Sequence, residues 1–187
     1  NIEWLDSEIF EKNKKIDTLN RINGILIPGG FGVRGTQGKI NAANYARLNN
    51  IPYFGICLGM QIAVIEAARN LLGLKNANST EFTKTKDPVI GIMTEWIKKS
   101  KVIKTNTNSD MGGTMRLGAY DCVLKKESKI FEIYKKSKIS ERHRHRYEVN
   151  LNYLEKLEKC GLKFSGLSPD GNLPEILELE NHPWFIG

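Results

Sequence analysis

The chain has 187 residues, 40% hydrophobic and 26% charged, which is enough length and apolar content for one domain with a real core. No run approaches the roughly 18 apolar residues that a membrane span needs. The lysines behind the formal charge of +7 are scattered with no aromatic platform among them, which argues against a nucleic-acid face.

In chain order, "NIEWLDSEIF" lacks a basic segment followed by an apolar one, so no signal peptide is expected. It also lacks an initiator methionine, and the chain is expected to be a piece of something longer. "GILIPGG" (24–30) is a short apolar run closed by Pro and Gly, a predicted buried strand. "GKINAANYARLNN" (38–50) has helical periodicity. "IPYFGI" (51–56) is a second predicted strand, and "GMQIAVIEAARNLLG" (59–73) a second helix. Strand, helix, strand, helix at this spacing predicts a parallel sheet with right-handed crossovers.

"KKSKVIKTNTNSDMGG" (98–113) reads as a surface excursion between predicted strands at 87–93 and 115–124, the latter two with a possible antiparallel sense. "VNLNYLEKLEKCG" (149–161) is a predicted helix capped by Gly161. "LKFSGLS", the turn "PDG" and "LPEILELE" form a predicted hairpin, and "HPWFIG" a last strand. The expected class is α/β, a central and mostly parallel sheet flanked by helices, occupying residues 1–187 as one domain.

Three stretches carry chemistry. "PGGFGVRG" (28–35) contains G-x-G-x-x-G at Gly30, Gly32 and Gly35, after a strand and before a helix. The dinucleotide fingerprint also wants an acid about 20 residues on. None occurs between Gly35 and Glu66, so a Rossmann-type nucleotide module is the weaker alternative. Backbone N–H groups in such a loop suit an anion or an oxyanion, while a plain tight turn explains the glycines equally well.

"GICLG" (55–59) is the cysteine form of the Gly-x-Ser-x-Gly nucleophile elbow. There Cys57 would sit at a helix N-terminus, which favours thiolate, with the Leu58 N–H facing an oxyanion. A buried, space-filling thiol in a non-catalytic module is the competing reading. "RHRHRYEV" (142–149), read as a strand, puts Arg142, Arg144 and Arg146 on one face, apt for a carboxylate or phosphate, and His143 and His145 on the other. His143, His145 and His182 are the candidate bases for Cys57. Cys57, Cys122 and Cys160 have no regular spacing, which suggests neither a disulfide framework nor a zinc site and fits a reducing, cytoplasmic setting.

"GILIPGGFGVRG", "NIPYFGICLGMQIAVIEAARN" with "NANSTEF", and "ERHRHRYEVN" together resemble the glutamine amidotransferase domain of the CTP synthases, class I or triad type. "TEW", "DMGGTMRLGA" and "NHPWF" extend the resemblance over nearly the whole chain. It implies a flavodoxin-like amidotransferase fold in which Cys57 is the catalytic nucleophile that forms a γ-glutamyl thioester from L-glutamine. It implies that Gly30 and Leu58 supply the oxyanion-binding, glutamine-contacting backbone. It assigns Gln61, Glu81 and Arg146 to the α-amino and α-carboxylate groups of glutamine, and Phe31 to the pocket wall.

The same resemblance implies no metal or cofactor in this domain. A synthetase domain, absent from this chain, would use ATP and Mg²⁺ to convert UTP to CTP with the ammonia released, in a cytoplasmic homotetramer without nucleic-acid or membrane partners. The family takes its base and orienting acid from a His-Pro-Glu-Phe motif. That motif is expected a few residues past Gly187, and the first strand and helix of the domain are expected before Asn1.

Overall fold

The computed structural model describes residues 1–12, 17–92 and 115–187. The predicted excursion at 98–113 lies outside the described residues, as do "TEW" and the start of "DMGGTMRLGA". Among the described residues, a seven-stranded sheet and a three-stranded sheet pack with four α-helices.

The first half follows the predicted alternation. It runs β1 (Ile25–Ile27), α1 (Thr36–Leu48), β2 (Tyr53–Gly55) and α2 (Leu58–Asn70). β1 and β2 pair in parallel, with Ile25 against Tyr53 and Ile27 against Gly55. Helix α2 is apolar on nearly every side, which marks it as the buried helix of the fold. Its one buried charge, Glu66, accepts from Arg47 Nε at 2.9 Å, Asn44 Nδ2 at 2.8 Å and Asn70 Nδ2 at 3.0 Å.

Next come β3 (Ala77–Ser79), β4 (Asp87–Ile92), β5 (Arg116–Leu124), α3 (Lys129–Tyr134), β6 (Lys138–His145) and β7 (Tyr147–Val149). The chain closes with α4 (Leu154–Lys159), β8 (Leu162–Leu167), β9 (Pro174–Leu179) and β10 (Phe185–Ile186). The large sheet has the order β1-β2-β10-β9-β8-β5-β6, and the small one β3-β4-β7.

The α/β class stands, but the sheet is mixed rather than mostly parallel. Only β1/β2 and β2/β10 are parallel within the large sheet. The rest is antiparallel: a hairpin joins β8 to β9, the connection from β5 to β6 through the short α3 returns the chain beside the strand it left, and β8 and β10 pair antiparallel with β5 and β9. The last strand, β10, returns to lie beside β2, where Phe185 stacks on Tyr53 with ring centroids 4.3 Å apart.

The predicted helix at 149–161 starts later than expected. Val149 still belongs to β7, and the Asn150 N–H donates to the Val89 carbonyl at 2.9 Å, tying that point to β4. Asn150 Oδ1 then caps a 3-10 turn that leads into α4. Gly161 ends the helix at φ +96°, as predicted. No described helix is long and apolar enough to cross a membrane.

Candidate active site

Cys57 sits where β2 turns into α2, at φ +53° and ψ −104°. A non-glycine residue rarely adopts this backbone, and strain of about 1–3 kcal/mol is held there by its surroundings. The surroundings are tight. Gly59 is pressed against the backbone of Ile27 in β1, and Gly55 against the first turn of α2, so neither position has room for a side chain.

The glycine loop after β1 closes over the same cysteine. A Cβ on Gly29 would lie 3.5 Å from Cys57 Cβ, and one on Gly30 would lie 3.2 Å from a Leu58 methyl. The backbone N–H groups of Leu58 and Gly30 both point at the Cys57 sulfur. Burial nonetheless pushes the Cys57 thiol up from its ordinary value, and the Glu81 and Glu148 carboxylates push the same way against those two N–H groups. The helix N-terminus was expected to favour thiolate. Its pull exists through Leu58, but desolvation outweighs it.

Two further predicted residues are tied to this centre. Gln61, one helical turn beyond Cys57, lines the same cleft and donates from Nε2 to the Tyr147 carbonyl at 3.0 Å. Glu81 Oε1 accepts from the Gly32 N–H at 2.8 Å, which anchors the glycine loop to the turn after β3. Arg146 is half-buried at the bend between β6 and β7. Neither it nor Phe31, which is 60% exposed, belongs to the cleft wall among the described residues.

The cleft is about 440 Å³, and its wall joins Cys57, Met60 and Gln61 to His143, His145, Tyr147 and Glu148. The alternation predicted for "RHRHR" holds through His145: Arg142 and Arg144 are exposed, and the two histidines turn inward. It fails at Arg146, where the chain leaves one sheet for the other, so the three guanidinium groups do not share a face.

Behind the histidines lies a buried cluster that sequence reading missed. Arg116 Nη2 donates to Glu175 Oε1 at 2.7 Å, and its Nη1 donates to Glu148 Oε1 at 3.3 Å. Its guanidinium also lies over the Tyr120 ring at 4.4 Å. Burial raises the Glu148 carboxyl to about 7 and lowers His143 and His145 to about 4, with the Arg116 charge adding to both histidine shifts. The period-2 pattern of β6 gave the faces of its own side chains, but not the long-range approach of Arg116 in β5 and Glu175 in β9.

No described histidine hydrogen-bonds Cys57. His143 Nδ1 and His145 Nε2 are engaged with each other at 2.9 Å. His182 is buried beneath α1, where Nε2 donates to the Ala46 carbonyl at 3.1 Å and Nδ1 accepts from the Trp184 N–H. The dinucleotide alternative fits poorly. The Ser7–Phe10 turn packs on Gly35 and Gly38 at the start of α1, and Arg34 pairs with Glu8 at 2.9 Å, so the place of a pyrophosphate is already filled. Among the described residues no group of three or more His, Cys, Asp or Glu is placed to hold a metal.

The family model for glutamine amidotransferase class I matches residues 1–187. A CTP synthase of Agrobacterium fabrum is 61% identical over 186 residues, covering 100% of this chain and 34% of that protein. A CTP synthase of Sinorhizobium medicae is 60% identical over 186 residues with the same coverage. The chain thus spans about a third of the length of these curated relatives. The solved glutaminase domain of Trypanosoma brucei CTPS, with bound acivicin, superposes with a TM-score of 0.86 at 40% identity, covering 100% of this chain and 70% of that one. Matched along its whole length, the chain belongs to the class I glutamine amidotransferase family.

Proposed function

We propose that this chain is the glutamine-hydrolysing part of a CTP synthase. The observation that carries the reading is the strained elbow at Cys57, with the N–H groups of Leu58 and Gly30 converging on its sulfur. The Cys57 thiolate attacks the side-chain amide carbon of L-glutamine. The two N–H groups hold the negative charge that develops on the amide oxygen. The tetrahedral adduct expels ammonia, leaving a γ-glutamyl thioester that water cleaves to glutamate. Gln61, Glu81 and Arg146 are assigned to the α-amino and α-carboxylate groups, and Phe31 to the rim. Acivicin in the trypanosomal glutaminase domain, a glutamine analogue, supports this substrate class.

Because burial holds Cys57 as a thiol, the reaction needs a base. The family resemblance gives that role to a histidine of a His-Pro-Glu-Phe motif and not to His143, His145 or His182. The ammonia would pass to a synthetase domain of the same polypeptide that aminates UTP with ATP and Mg²⁺. No residue of this chain is assigned to ATP or Mg²⁺. We also assign the parent enzyme to the cytoplasm, as a homotetramer.

The test is made on the full-length parent protein. Cys57→Ala should abolish glutamine hydrolysis and glutamine-dependent CTP formation while leaving CTP formation from free ammonia intact. Persistence of glutaminase activity in Cys57→Ala would overturn the assignment.

A further inference from the structure

Arg146 is the only residue between the end of β6 and the start of β7, so the chain crosses from the large sheet to the small one in a single step. Such a joint needs its carbonyls fixed by something outside the ladders. The Tyr147 carbonyl takes two side-chain donors from different elements: Gln61 Nε2 of α2 at 3.0 Å and His145 Nδ1 of β6 at 3.2 Å.

This geometry sets the protons. A carbonyl only accepts, so His145 carries its hydrogen on Nδ1, and its Nε2 is bare while the ring is neutral. His143 Nδ1 lies 2.9 Å from that bare nitrogen and therefore donates to it. Burial and the nearby Arg116 guanidinium keep both rings neutral. The Tyr120 ring packs edge-on against His143 at 5.4 Å, and Glu148 Oε1 stands 3.4 Å from the protonated Nδ1 of His145. Both rings are thus held in place from behind.

The carbonyl also dictates which end of the Gln61 amide faces it. A flipped amide would set its Oε1 against the Tyr147 oxygen, acceptor against acceptor. As placed, Nε2 is committed and Oε1 makes no hydrogen bond to the described protein, while the side chain lines the cleft with Cys57.

We propose that His145, held in one tautomer by His143, is a positioning residue for Gln61: it shares the Tyr147 carbonyl with Gln61 and so keeps Gln61 Oε1 turned out as the acceptor for the ammonium group of the substrate amino acid. The proposal rests on the assignment of the cleft to glutamine. His145 touches no substrate and moves no proton in the reaction.

The experiment uses the full-length parent and compares His145→Phe, His145→Asn, Gln61→Leu and the double variant His145→Phe/Gln61→Leu. Loss of the Nδ1 donor in His145→Phe should raise the KM for glutamine about tenfold, with kcat changed less than about threefold. His145→Asn keeps a donor near the Nδ1 position and should recover most of the loss. In the Gln61→Leu background, His145→Phe should add no further change in KM, because its effect passes through Gln61. CTP formation from ammonia should be unchanged in His145→Phe and His145→Asn.

An unchanged glutamine KM in a folded His145→Phe variant overturns the proposal. So does an equal added loss in the Gln61→Leu background, which marks a general structural role. A kcat loss of more than about a hundredfold, with loss of the acid limb of the pH profile, overturns it in favour of His145 as the base. The wild-type and Cys57→Ala measurements judge the glutamine assignment separately.

Discussion

A Cβ on Gly55 would stand 2.6 Å from the backbone carbonyl group of Gly59, so the strand before Cys57 and the first turn of the helix after it meet backbone to backbone. That contact is what allows the chain to reverse within one residue and leave the Cys57 side chain at the apex. Gly55→Ala forces the two segments apart. It should cost about 3 kcal/mol, at the upper end for overpacking. On a domain of this size that lowers the melting temperature by about 6–12 °C. Differential scanning calorimetry checks it, and an unchanged transition would show that the elbow does not depend on this approach.

The Glu66 carboxylate makes a second prediction, since its side chain is fully buried and the partner guanidinium of Arg47 only 14% exposed. Arg47→Ala leaves the carboxylate with two neutral amide donors, Asn44 and Asn70, and no counter-charge. Breaking a buried pair from one side typically costs about 3–5 kcal/mol. Glu66→Gln keeps the hydrogen-bonding shape and removes the uncompensated charge, so the double variant Arg47→Ala/Glu66→Gln should be more stable than Arg47→Ala alone. Urea unfolding at neutral pH measures the difference. If the double variant is the weaker of the two, the charge is not what destabilises.

Much of this was readable from residue order because local sterics and periodicity leave few choices. "IPYFGICLG" marks the elbow because a sharp strand-to-helix turn tolerates only small flanking residues, and Gly55 and Gly59 are both pressed against backbone. "RHRHR" marks a two-faced strand because side chains alternate, and His143 and His145 do turn inward together. The three-residue strand β3 was missed because "ANS" has neither length nor apolar alternation, and it forms through pairing with β4. The six-residue helix α3 was missed for the same shortness, although Ser128, which caps it through the Phe131 N–H at 3.1 Å, was a usable start signal.

The β8/β9 hairpin was legible in its "PDG" turn, but the pairing of β5 with β6 and β8 and the Arg116 cluster were not, for a different reason. Arg116 and Glu175 are 59 residues apart and meet only because β8 and β9 intervene between β10 and β5. The Tyr147 carbonyl is a backbone group, and no side-chain pattern announces it.

Acid stability follows from the same cluster. His143 and His145 titrate near 4 in the fold and near their ordinary 6.5 when unfolded. Between those values the unfolded chain binds protons that the fold refuses, so their contribution is complete above about pH 6.5 and is lost as pH falls towards 4. Glu148, raised to about 7 from 4.5, acts the other way and loses stability as pH rises through that window. Two groups outweigh one, so the net effect is loss on acidification between about pH 6.5 and 4.5. Urea midpoints at pH 7, 6 and 5 should fall in that order, and the His143→Phe/His145→Phe variant should flatten the fall. A double variant with the wild-type slope would place the acid sensitivity elsewhere.

The chemistry of Cys57 in the substrate-free protein is the last expectation. Burial raises its thiol above the ordinary value of about 8.5 despite the N–H groups of Leu58 and Gly30, so the thiolate fraction at neutral pH is smaller than that of an exposed cysteine. Alkylation by iodoacetamide should therefore be slower at Cys57 than at a free thiol at pH 7.5, and should climb steeply as the pH approaches and passes 9. Peptide mapping by mass spectrometry separates it from Cys122, which is buried and pushed up to about 12, and from Cys160, whose sulfur donates to the Leu157 carbonyl at 3.1 Å. A rate that is already maximal at pH 7 would mean that the two N–H groups outweigh desolvation, and that Cys57 stands as a preformed thiolate requiring no base for its attack.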